Sequence, residues 1–231
     1  MKKKQITKLG ITLGLVGAVG VGGTLAILSQ KTEAVVNTFT VGEGITSKDI
    51  SIDETDVEAE GWNGEMSDTD RDMENSYEIA PGVTLVKDPQ VHVSDKAADC
   101  YVFVNVHNVD DFAAEVGKDN VEFTNFGANG QWVKVSGTDD SYDGVYYYRA
   151  TGETATGGTK VSVDGEFDSP KVFTGIVLNK DAEVYKNDGT AKDNLPKIQV
   201  KAAAVQATDL STSWTDALGI INPDFDWGTW K

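Results

Sequence analysis

The chain has 231 residues, 39% hydrophobic and 9% aromatic, which is enough for one sizeable core and too apolar for a wholly disordered acidic chain. Twenty Lys and Arg stand against 37 Asp and Glu, a formal charge of −17. A body of that sign repels nucleic acid and anionic headgroups and argues against both as partners.

The charge is uneven. Residues 1–26 hold Lys2, Lys3, Lys4 and Lys8 and no acid, which leaves the rest of the chain at −21. A 20-residue apolar stretch with six glycines follows the lysines, over residues 9–28. Thr24 and Ala26 fit the −3 and −1 positions of a signal-peptidase site, so cleavage is expected between Ala26 and Ile27. A second small-residue option ends at Ala34. Twenty apolar residues could also span a bilayer, but the glycine density favours a leader that is removed. The expectation is a secreted protein with no membrane segment after cleavage.

Immediately beyond the leader, Val35, Asn37, Phe39 and Val41 alternate with Val36, Thr38 and Thr40, a period of two that predicts a strand over 35–42. Residues 54–78 then hold ten acids against a single basic residue, Arg71. This stretch reads as an exposed or mobile loop. Further strands are expected at 83–86, around Val91 and Val93, at 100–107, 121–126, 132–135, 144–149, 160–163, 172–178 and 198–204. Turn chemistry separates them at Pro81-Gly82, Asp88-Pro89, Ala128-Asn129-Gly130, Gly157-Gly158 and Asn187-Asp188-Gly189. Two short helices are expected, one from an Asp110 cap to Val116 and one over 211–218 capped by Ser211 or Ser213. The pattern is all-β: an antiparallel jelly-roll-like β-sandwich, one domain over 27–231.

The sole cysteine, Cys100, can form no intramolecular disulfide, and its apolar strand marks it as a small core residue. Enzyme motifs are absent. No His-Glu-x-x-His or Gly-x-Ser-x-Gly occurs, and the two histidines, His92 and His107, are too few for a familiar zinc site. His92 shares a strand face with Gln90 and Ser94, which places it toward solvent. Asp139, Ser141 and Asp143 followed by Gly144 reproduce the opening of a calcium loop, but Ala150 stands where a bidentate Glu belongs. Turn acids are the competing reading. Tyr146-Tyr147-Tyr148 and Trp214, Trp227 and Trp230 read either as a carbohydrate or partner platform or as strand packing under a docked C-terminal tail.

Several stretches resemble one family in order: Gly22-Gly23-Thr24-Leu25-Ala26, Asn37-Thr38-Phe39-Thr40-Val41-Gly42, Ala80-Pro81-Gly82, Lys87-Asp88-Pro89, Tyr101-Val102-Phe103-Val104 and the tail Ile198-Gln199-Val200-Lys201-Ala202. They resemble the TasA/camelysin family of exported biofilm fibre proteins, whose leaders are removed by a SipW-type signal peptidase. The resemblance implies a jelly roll outside a Gram-positive cell and a structural, non-enzymatic subunit. It also implies assembly with copies of itself, Val35, Val36, Asn37, Thr38, Phe39, Thr40 and Val41 being donated as a strand to a neighbour. Pairing of that strand inside its own subunit is the alternative. So is a monomeric secreted adhesion module or, more distantly, a camelysin-like metalloprotease. The acidic stretch at 54–78 departs from the pattern expected of TasA.

Overall fold

The computed structural model describes residues 45–135, 140–153, 157–162, 165–207, 213–221 and 225–230. The expected cleavage bond at Ala26 and Ile27, the strand over 35–42 and Asp139 lie outside these residues. So do Ser211 and part of the strand expected at 160–163.

Among the described residues, three antiparallel sheets make up the fold. The first has the order β2 (Arg71–Asp72), β1 (Ile50–Thr55), β4 (Gln90–Val93), β9 (Phe167–Asp168). In the second, β3 (Thr84–Val86) and β6 (Val121–Thr124) flank β10 (Gly175–Leu178). The third runs β11 (Gln199–Gln206), β5 (Cys100–His107), β8 (Gly144–Tyr148), β7 (Trp132–Lys134). Every strand pair is antiparallel. The all-β sandwich expected from the alternation is therefore what the chain forms.

One core lies between the third sheet and the other two. Val91 and Val93 of β4, Phe123 of β6 and Ile176 and Leu178 of β10 meet Val102, Val104 and Val106 of β5 there. The opposite face of the third sheet is also covered. Phe103, Tyr147, Ala203 and Val205 pack under α2 (Trp214–Ile221), through Ala217 and Ile221. That double burial explains why Phe103, on the otherwise polar face of β5, has no exposed surface. Burial pushes the Cys100 thiol up to about 12, so it is an inert core residue, as its strand implies.

The tyrosines and tryptophans follow the packing reading. Tyr146 faces the main core and Tyr147 the helix layer. Trp214 stacks on Phe103 with ring centroids 5.7 Å apart and lies 4.6 Å from Tyr147. Lys201 Nζ donates to the carbonyls of Trp227 and Thr229 and sits 4.3 Å from the Trp230 ring, docking the tail on β11.

Helix expectations are half right. Ser213 and Asp216 form a reciprocal cap at the start of α2: Ser213 N–H donates to the Asp216 carboxylate at 3.0 Å, and Asp216 N–H returns a bond to Ser213 Oγ. The first helix, α1 (Val109–Val116), is not capped by Asp110, which lies inside its first turn. Asn108 occupies the cap position with φ 65°, and Asp143 from the distant β8 approach accepts the N–H groups of Asn108 and Val109 at 3.1 and 2.7 Å. Of the strand expected at 160–163, the described residues show an isolated bridge from Val161 to Cys100.

Gly157 and Gly158, expected as a turn, have a second task. A Cβ built on Gly158 would stand 2.4 Å from the Trp214 ring, and one on Gly157 2.6 Å from it. Their bare backbone is what lets the indole lie flat under the sheet. Gly158→Ala is expected to push Trp214 outward and to cost about 1–3 kcal/mol. A lowered denaturant midpoint with red-shifted tryptophan emission checks this.

Candidate functional site

The acidic stretch is largely exposed and loop-like, as its composition suggests, but it is tied to the sandwich at specific points. Its only basic residue turns inward. The Arg71 side chain is 7% exposed and spans Asp53 and Asp88. Its Nη1 donates to Asp88 Oδ2 and to the Ser67 carbonyl, and its Nη2 to the carbonyls of Asp53 and Asp88. Asp88 itself has no exposed surface. Thr55 N–H binds its Oδ1 at 2.7 Å, Thr55 Oγ1 binds Oδ2, and Lys171 Nζ lies 3.3 Å from Oδ2. Lys171 also holds Asp68, and this contact lowers the pKa of that exposed carboxyl. Many side chains of the stretch are solvated, yet it is anchored through the backbone N–H groups of Thr55 and Ser67 and the side chains of Arg71 and Asn75.

This anchoring builds one wall of an open groove of about 850 Å³. Ile52, Asp53 and Glu54 of β1 line it in succession, and so do residues 195–201, leading into β11. Successive side chains on a strand point to opposite faces, so uninterrupted lining means that the groove runs along the strand edges. The pairing agrees. Among the named strands, β11 has only β5 as a partner, and β1 meets β2 only at Glu54 and Thr55. The floor is apolar, with Leu85, Ile176 and Phe112 beside Ile198 and Val200. Asp53, Glu54, Glu58, Glu74 and Asp193 face Lys87, Lys192, Lys197 and Lys201, so the lining is close to charge balance in a strongly acidic molecule.

Other candidates resolve differently. His92 does not simply face water: Nδ1 lies 2.6 Å from Asp168 Oδ1 and Nε2 lies 3.0 Å from Asp53 Oδ1. His107, on another sheet, stacks 4.5 Å from Trp230, so the two histidines are not brought together. Of the calcium-loop residues, Ser141 and Asp143 do come together, turned toward α1. Ser141 Oγ donates to Asp110 at 2.5 Å, and Asp143 caps the helix. Burial, with the neighbouring Asp110 charge, raises the Asp143 carboxyl. Burial acts in the same sense on Asp110, but bonds from Ser141, Tyr142 and Asp143 outweigh it and hold that carboxyl below its usual range. Among the described residues no group of three or more His, Cys, Asp or Glu is placed to hold a metal ion, and no helix is long and apolar enough to cross a membrane.

The groove was not foreseen from the sequence, because its walls come from residues more than a hundred positions apart. Its one early signal is Arg71, a lone cation among ten acids. Comparison with family models, with curated proteins and with solved structures finds no match for this chain.

Removing the guanidinium leaves Asp88 buried beside fewer donors, which is the costly way to break a buried ion pair. Arg71→Ala is expected to lower stability by about 3–5 kcal/mol and to release residues 56–75 to proteolysis before the sandwich unfolds. Denaturant titration and limited proteolysis check both.

Proposed function

We propose that this chain is an exported structural subunit of extracellular-matrix or cell-surface fibres, assembling when the mature N-terminal segment of one copy adds as a strand to the next. The groove that runs, among the described residues, along the edges of β1 and β11 is the observation that carries this reading. A strand edge offers a row of unpaired N–H and C=O groups, and natural proteins rarely leave a long one uncovered. Strand addition satisfies those groups through main-chain bonds, while apolar pockets for alternate side chains set the register.

Residues 35–41 suit such a site. They are Val-Val-Asn-Thr-Phe-Thr-Val, β-branched or aromatic at six of seven positions and without charge. Bodies at −21 repel one another, and a neutral strand entering a nearly balanced groove brings no further like charge into the contact. The ordered resemblance to the TasA/camelysin family supports the same reading. Under it, leader removal is the trigger, because a strand still joined to its leader is not free to be given away. The body's acidity keeps unassembled subunits soluble.

Protein beginning at Ile27 is expected to form filaments on a negative-stain grid and to sediment as polymer. Protein beginning at Gly42 is expected to stay monomeric and to bind a synthetic peptide of residues 35–41, which in excess also blocks polymerisation of the longer form. If the form beginning at Ile27 stays monomeric at high concentration with and without seeds, the reading fails.

A further inference from the structure

Three side chains from two parts of the chain close around one carboxylate in the groove wall. Glu54, near the end of β1, is 6% exposed. Lys87 Nζ donates to both of its oxygens, at 3.1 Å to Oε1 and 2.8 Å to Oε2. Asn75 Nδ2 donates to the same Oε1 at 3.0 Å, and the Tyr77 hydroxyl reaches it at 3.4 Å. The rest of the carboxamide is fixed as well. Asn75 Nδ2 also donates to the Thr55 carbonyl at 2.9 Å, and Asn75 Oδ1 accepts Val57 N–H at 3.0 Å. Burial, reinforced by the Glu54 charge, pushes the Tyr77 phenol up, so it remains a neutral donor.

A primary amine and a carboxamide thus share one carboxylate oxygen in a site largely closed to water. That oxygen touches the nitrogen that would attack and the nitrogen that would leave, the position required of a proton relay. The Val57 N–H is aimed at the oxygen that would carry negative charge in a tetrahedral intermediate. Fixed placement of both partners supplies the effective concentration that free amines and amides lack.

We propose that Lys87 and Asn75 join in an intramolecular isopeptide bond, with Glu54 as the proton relay. A proton passes from Lys87 Nζ to Glu54 Oε1, the oxygen that Asn75 Nδ2 also touches, leaving a neutral amine that attacks Asn75 Cγ. The Nζ–Cγ bond forms and the carbonyl π electrons move to Oδ1. Glu54 hands its proton to Nδ2 and takes a second from Nζ. The Cγ–Nδ2 bond then breaks, the carbonyl re-forms, and the departing ammonia takes that second proton from Glu54 to leave as ammonium. Glu54 ends as the carboxylate it began as, and no oxidant, metal or cofactor is consumed. The product ties the acidic stretch to the link between β3 and β4, next to Asp88. It needs no fibre and stands apart from the strand-addition reading.

Trypsin digestion of the purified, denatured full chain decides it by mass. A modified Lys87 resists cleavage, so the expected fragment is residues 72–96, uncut at Lys87 and lighter than its sequence by one ammonia. Glu54→Gln is expected to restore cleavage at Lys87 and the full mass, and Asn75→Ala to restore cleavage. Wild-type protein cut at Lys87 with unaltered mass would overturn the bond. Ammonia loss with Lys87 still cleaved would overturn it too, since that is a succinimide at Asn75-Ser76. A linkage that persists in Glu54→Gln would overturn the relay.

Discussion

Asp88 is a carboxylate with no exposed surface in a chain that already carries seventeen negative charges in excess. Taking one such ion out of water costs several kcal/mol, and the cost is offset only when its partners are close and complete. Here they are: a guanidinium, an ammonium, a backbone amide and a hydroxyl. They come from three different stretches of chain, Thr55 giving both the amide and the hydroxyl. Thr55 ends β1, Arg71 opens β2, Lys171 lies before β10, and Asp88 itself sits where the chain passes from the second sheet to the first. The same group therefore joins two sheets and the acidic excursion, and the shape of the groove depends on it.

That dependence connects charge to function in an unexpected way. Most of the acids in residues 54–78 are solvated and serve solubility. A few, with Asp53 just before them, face inward and are matched: Asp53 by Arg71 and His92, Glu54 by Lys87, Asn75 and Tyr77. The inward set forms an anchored wall beside β1, which suits the strand addition proposed above. An unanchored loop would have to be ordered at the moment of binding, at a cost of about 1–2 kcal/mol per residue.

Legibility in the sequence followed local periodicity. β5 and β11 were visible because eight residues of alternation leave little freedom of interpretation, and their full antiparallel register bears that out. β1 alternates too, Ile50 and Ile52 with Ser51 and Asp53, but it runs straight into the acidic stretch and was absorbed by it. β2 and β9 have two residues each, so pairing partners define them and sequence cannot. The remote cap of α1 by Asp143 was hidden for the same reason. So was the Glu54–Asn75–Lys87 cluster: composition marked the acids, but only the fold shows which of them face inward, and toward what.

Amide hydrogen exchange on the native chain measures the central claim most directly. Thr55 N–H ends on buried Asp88, Ser67 N–H on Thr55 Oγ1 and Asp56 N–H on the Asp70 carbonyl. If the acidic excursion is a wall pinned by Asp88, these three amides exchange slowly, with protection approaching that of β5. Exchange of all three at the rate of free peptide, while β5 stays protected, would mean that the excursion is the loose loop its composition suggests and that the groove lacks a fixed side.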